Sequence, residues 1–156
     1  MNNFDVAIIG GGIHGCSVAL YISKLGFSCA VFEKDHVGRH ASGVNAGGVR
    51  RLGRAFQEIP IADLSSQIWH KITDLTDDDC GFKMATQIKV AESHSDLRKL
   101  EKRIKAVKKL GYNHERLLSH RDLYSYLPNL APHCFGGAIV EGDGYANPYR
   151  TTQAFK

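Results

Sequence analysis

Apolar residues come in short blocks along the chain, and changes in their spacing predict where strands give way to helices. Phe4, Val6, Ile8 and Ile9 form an apolar run that stops at Gly10, the pattern of a buried strand. From Ile13 to Leu25 the spacing turns helical, with Val18, Ala19, Ile22 and Leu25 on one side and Gly26 as the terminating residue. Cys29, Ala30, Val31 and Phe32 make a second apolar strand ending at Glu33. Strand, helix and strand within about 30 residues is the minimal crossover unit, in which the two strands are parallel and the connection right-handed.

Residues 34–53 break the periodicity. Gly38, Ala41, Ser42, Gly43, Ala46, Gly47 and Gly48 leave no apolar stripe, and Arg50, Arg51 and Arg54 follow, so a long loop is expected, of a length usually kept for function. A helix is expected from Pro60 to about Thr73 with Leu64, Ile68 and Ile72 on its buried side, then a turn at Asp74, Asp77, Asp78 and Asp79. Alternation from Met84 to Val90 predicts a strand. Leu97, Leu100, Ile104, Val107 and Leu110 predict an amphipathic helix over 95–110. A short helix at 120–126, a strand from Phe135 to Val140, a turn at Gly142, Asp143 and Gly144 and a helix after Pro148 complete the reading, and the chain stops at Lys156 inside that last pattern.

Composition narrows the class without changing this outline. With 156 residues, 43% of them hydrophobic and 23% charged, the chain has the makings of a globular core and not of a disordered or collagen-like one. No apolar run approaches the ~20 residues of a membrane helix, and Met1, Asn2, Asn3, Phe4 and Asp5 lack the basic lead of a secretory signal; a cytoplasmic protein without a membrane span is expected. Cys16, Cys29, Cys80 and Cys134 form no CxxC pair, so no metal site is expected and the thiols read as small hydrophobes. The net charge of +4 is concentrated between His94 and Arg121, where nine basic residues face three acidic ones. Because the apolar stripe of that helix leaves its lysines on the wet side, and no aromatic is interleaved with them before Tyr112, a solvated face is expected and nucleic acid is not.

The candidate chemistry lies at the first strand–helix junction. Gly10, Gly12 and Gly15 spell GxGxxG there. The first glycine permits a tight turn, the second lets a pyrophosphate approach the backbone, and the third lets helix and strand pack closely. The helix N-terminus offers free N–H groups to an anion. Glu33, 18 positions after Gly15, stands where an acid accepts hydrogen bonds from ribose hydroxyls, and an acid there disfavours the 2′-phosphate of NADP. These residues point to a dinucleotide and leave FAD and NAD both open.

Gly38-Arg39-His40-Ala41-Ser42-Gly43-Val44-Asn45-Ala46-Gly47-Gly48-Val49-Arg50, placed after Glu33, resembles the flavin-approach loop of the D-amino-acid-oxidase-like family of FAD-dependent oxidoreductases, which includes sarcosine oxidases, glycine oxidase and opine oxidase flavin subunits. Asp143-Gly144-Tyr145-Ala146-Asn147-Pro148 is similar to the turn that precedes a returning helix in those proteins. The resemblance implies an α/β chain: the N-terminal part of a Rossmann-like FAD-binding domain over 1–80, the start of an α+β substrate domain over 81–144, and a truncated return helix over 145–156. It implies that Gly10, Gly12, Ile13, His14 and Gly15 line the pyrophosphate, that Glu33 and Lys34 hold the adenosine ribose, and that Ser42, Asn45, Ala46 and Gly47 approach the flavin. Arg50 is the candidate for a substrate carboxylate, and His14 reads as a backbone donor more than a catalytic base. No catalytic residue is assigned.

Members of the family run to well over twice this length. The expectation is therefore an N-terminal portion of an FAD-dependent oxidase of amino acids or secondary amines, whose remainder is a missing C-terminal half or a partner subunit. The alternatives are a non-catalytic fragment and an NAD-dependent dehydrogenase.

Overall fold

The computed structural model describes residues 3–156; Met1 and Asn2, the first residues of the 1–80 segment and of the leader reading, lie outside the described residues. The chain divides into two compact units. One takes the chain up to Gly48 together with Ile68–Lys83 and Tyr145–Lys156, and the other takes Val49–Gln67 and Met84–Gly144.

In the first unit β1 (Val6–Ile9), α1 (Ile13–Lys24) and β2 (Cys29–Phe32) form the expected crossover. The two strands are parallel and in register from Val6 opposite Cys29 to Ile9 opposite Phe32. Two side-chain expectations fail here. β1 is not a buried strand, since Ile9 is 92% exposed and its register partner Phe32 59%: β1 pairs with β2 alone, and no described residue covers that face. On α1 the buried residues are Cys16 and Ala19, whereas Val18 and Leu25 are exposed. Gly15 fixes the rotation of the helix, because its missing Cβ lets it sit against the Gly10 carbonyl, and Cys16 and Ala19 turn inward on the same side. Cys16, Ile72, Cys80 and Phe155 then form this unit's core, with Leu20, Val37 and Phe82 packed on it.

The long loop contains a two-residue strand that its composition hid, β3 (Gly48–Val49). The expected helix after Pro60 is three pieces: a 3-10 turn (Phe56–Glu58), α2 (Ile59–Trp69) and α3 (Ile72–Thr76). Ile72 is buried as expected, but in α3, while Leu64 and Ile68 are exposed; Ile59 and Ser66 are the buried residues of α2. Asp74 belongs to α3, and the turn begins at Asp77, which takes a left-handed conformation.

The second unit is built on a four-stranded sheet. β4 (Lys83–Ala91) and β3 flank β6 (Gly136–Tyr145), and β5 (Arg116–Leu118), too short to announce itself in the sequence, pairs antiparallel with β6 at Leu117 opposite Ala138. β6 runs through Gly142, Asp143 and Gly144, where a turn was expected; Gly142 absorbs the irregularity at φ 89°. α4 (His94–Lys109) starts at Ser93, whose hydroxyl accepts the Asp96 N–H, and buries Leu100, Ile104 and Val107. Leu110 lies past its end and is exposed, and the cations of the opposite face are wet, as the pattern required. α5 (His120–Tyr126) and α6 (Pro148–Ala154) occupy the expected places, the latter capped by the Asn147 side chain.

Candidate functional site

The glycine-rich junction folds as a cradle open at the start of α1. Gly10 adopts φ 103°, a left-handed-region value that a side chain resists, and its N–H donates to the Phe32 carbonyl at 2.8 Å. Gly12 is the N-cap of α1 in extended conformation, and a Cβ on it would lie 2.9 Å from the Ser42 hydroxyl oxygen. The Ile13 N–H donates to that hydroxyl at 3.0 Å. The N–H groups of Gly12, His14 and Gly15 find no acceptor among the described residues. Unpaired helix donors are what a diphosphate needs.

Glu33, just past β2, closes the cradle. Its carboxylate accepts the Gly11 N–H at 2.6 Å and the Asp35 N–H at 3.0 Å. The Gly11 bond first, then the Asp35 bond, holds its carboxyl below the ordinary range. A cleft of about 190 Å³ is lined by Gly11, Gly12, Glu33, Gly38, Arg39, His40, Ala41 and Ser42.

Of the residues expected from the sequence, the structure brings Gly12, Glu33 and Ser42 together in this cleft, with Gly10, Ile13 and Gly15 forming the turn behind it. His14 and Lys34 are exposed to solvent. Asn45 braces its own loop: its amide nitrogen donates to the Ala41 and Ser42 carbonyls and its oxygen accepts the Gly47 N–H. The Gly47 carbonyl accepts the Ala146 N–H at 2.9 Å, and Ala46 is exposed. Arg39 and His40 line the cleft without having been expected as site residues; their position between Gly38 and Ser42, inside the glycine-rich loop, is the signal that could have found them.

The three arginines separate in the second unit. Arg51 bridges Asp63 and Asp143, and Arg54 donates to the Arg50 carbonyl at 3.0 Å. Arg50 is exposed and its guanidinium makes no ion pair among the described residues. The four cysteines are free thiols, three of them buried. No group of metal-binding side chains and no helix long and apolar enough to cross a membrane occurs among the described residues.

Comparison with known proteins agrees with this geometry. The model of the DAO family, described as FAD dependent oxidoreductase, matches residues 5–156. An opine oxidase subunit of Rhizobium meliloti is 28% identical over 158 residues, covering 94% of this chain and 42% of that protein. Glycine oxidase of Bacillus licheniformis is 26% identical, covering 97% of this chain and again 42% of the relative. The solved structure of L-amino acid deaminase from Proteus myxofaciens superposes with a TM-score of 0.89 at 20% identity, covering 99% of this chain and 36% of that one, a likeness of fold. The chain thus spans about two fifths of the curated relatives it matches, and its mixed helix and sheet architecture is shared with a part of the solved deaminase.

Proposed function

Since the chain belongs to the DAO family of FAD-dependent oxidoreductases, we propose that it is the cofactor-holding portion of an enzyme that oxidises the C–N bond of an amino acid or secondary amine. The observation that carries this reading is the cleft that Glu33 lines together with Gly12, the cap of α1, whose N–H has no acceptor among the described residues. Bound FAD would supply a hydride acceptor for the C–H bond next to the amine nitrogen, and with loss of the nitrogen-bound proton to solvent the resulting imine would be open to hydrolysis by water.

The chain's own residues bind and orient. Gly12, His14 and Gly15 offer main-chain donors to the diphosphate, and Gly10 and Ile13, whose N–H groups are engaged by Phe32 and Ser42, shape the turn that gives it clearance. Each Glu33 oxygen accepts one backbone N–H and keeps a lone pair for a ribose hydroxyl, with Lys34 alongside in sequence. Ser42, Asn45, Ala46 and Gly47 present small side chains and main-chain groups to the isoalloxazine edge. Arg50, without an ion pair of its own among the described residues, is the cation for a substrate carboxylate. The segments beyond this portion, supplied by a longer chain or a partner subunit, complete the pocket.

Removing the Glu33 carboxylate tests the assignment. In a fluorimetric titration Glu33→Ala is expected to weaken FAD binding roughly tenfold or more, the loss typical of a hydrogen bond to a charged group, with Glu33→Gln between it and the parent. Because the carboxyl is held below its ordinary value, the sign is fixed: its contribution persists above about pH 4.5 and disappears as acid protonates it. An unchanged FAD affinity in Glu33→Ala removes Glu33 from the ribose site.

A further inference from the structure

The second unit holds a buried charge cluster that the cofactor site does not use. Asp143 and Glu115 are almost wholly buried, and between them they take three successive main-chain N–H groups. Asp143 accepts those of Arg51 at 3.0 Å and Leu52 at 3.1 Å, and Glu115 accepts that of Gly53 at 3.0 Å. Each carboxylate has its own guanidinium: the Arg51 Nε lies 3.4 Å from Asp143, and Arg103 from α4 forks onto Glu115 at 2.7 to 3.0 Å. Arg103 also donates to the Arg54 carbonyl at 2.7 Å. Buried ion pairs add little net stability but hold one geometry.

Beside them His114 is out of place. Its side chain is 4% exposed, and neither ring nitrogen has a hydrogen-bond partner. Nε2 stands 3.9 Å from Oε1 of Glu115, the oxygen that holds Gly53 and Arg103. The charged groups acting on the imidazole are Arg51, Asp63 from α2, Asp143 from β6 and Glu115, with Arg103 behind Glu115 and the Tyr112 ring edge-on to it. Burial first, then Arg51, pushes the His114 imidazole below the ordinary histidine value, against the pull of the three carboxylates.

We propose that Asp143 and Glu115 are positioning residues for the 50–54 segment, and that His114 makes the Glu115 half of their grip acid-sensitive. In its neutral form His114 leaves Oε1 to Gly53 and Arg103. A protonated imidazole competes for that oxygen, so the Gly53 N–H loses its acceptor while Asp143 keeps Arg51 and Leu52. The link to substrate rests on the reading of Arg50 given above, which lies three positions before the released Gly53; the grip itself does not. Stability follows the same direction. The unfolded chain takes up the His114 proton first, so the fold keeps this contribution above about pH 6.5 and loses it as the pH falls below.

The test is an amide NMR titration of the full chain from about pH 7.5 to 4.5, carried well below the ordinary histidine value because His114 is held beneath it. The Gly53 amide is expected to shift and to gain exchange with solvent as acid is added, while the Arg51 and Leu52 amides hold. In His114→Phe, and in His114→Gln should the first variant fold poorly, the Gly53 response is expected to vanish. A pH-indifferent Gly53 amide in the parent chain, or one that responds equally in both variants, overturns the proposal. Neither readout involves flavin or substrate. A responding Gly53 in a chain that fails to bind FAD would therefore strike only the reading of function, and a silent one in a chain that binds FAD strikes only this inference.

Discussion

Gly15→Ala is expected to abolish tight FAD binding, lowering affinity at least roughly a hundredfold and costing the fold about 2 kcal/mol or more, the scale of overpacking at a closed contact. A Cβ at Gly15 would overlap the Gly10 carbonyl and touch the Ile8 side chain. The clash falls on main chain, which no rotamer change relieves. To make room, α1 must move off β1, and the N–H groups of Gly12 and His14 move with it. Gly48→Ala is the matched control, because a Cβ there meets nothing within 4 Å; it should bind FAD as the parent does. Titration of both variants with FAD, beside their thermal unfolding, checks the prediction. Equal affinities would mean that the close helix–strand contact is not what shapes the cradle.

Asp143→Ala is expected to destabilise the protein by about 3–5 kcal/mol, the cost of breaking one side of a buried charged pair. The carboxylate is 1% exposed and accepts two main-chain N–H groups, while the Arg51 guanidinium it faces is 18% exposed. Truncation leaves those donors without an acceptor and leaves the Arg51 guanidinium with Asp63 and the Glu141 carbonyl. Asp143→Asn keeps one acceptor oxygen and should cost less. The exposed pair Lys99–Asp96 gives the contrast, since Lys99→Ala should leave the urea midpoint where it was. An Asp143→Ala midpoint equal to that of the parent would contradict the reading of this cluster as a structural grip.

The crossover unit was legible because each of its signals is local. Apolar runs, three glycines and a terminal acid all fall within the first 33 residues, and each acts through main-chain geometry that spacing encodes. α4 was legible for a similar reason, its apolar stripe being written in consecutive turns, although its start was expected at residue 95 and the cap at Ser93 came only with the structure. What stayed hidden depends on partners distant in sequence. β3 and β5 hold two and three residues and exist because β6 pairs with them. Gly142-Asp143-Gly144 has the composition of a turn, yet Asp143 is fixed by residues 51 and 52, some 90 positions earlier. The buried faces of α1 and α2 were misplaced because hydrophobicity alone does not tell a face that is covered from one that is not. At the site, the cleft residues Gly12, Glu33 and Ser42 came from motif and resemblance, whereas the Ile13–Ser42 bond joining loop to helix carries no periodic signal.

The most direct measurement is a titration of the 156-residue chain with FAD, followed by flavin fluorescence and visible absorbance, with NAD as competitor. The account predicts saturable one-to-one binding that NAD does not displace and that Gly15→Ala and Glu33→Ala weaken. No saturation at tens of micromolar FAD, or displacement by equimolar NAD, would contradict it.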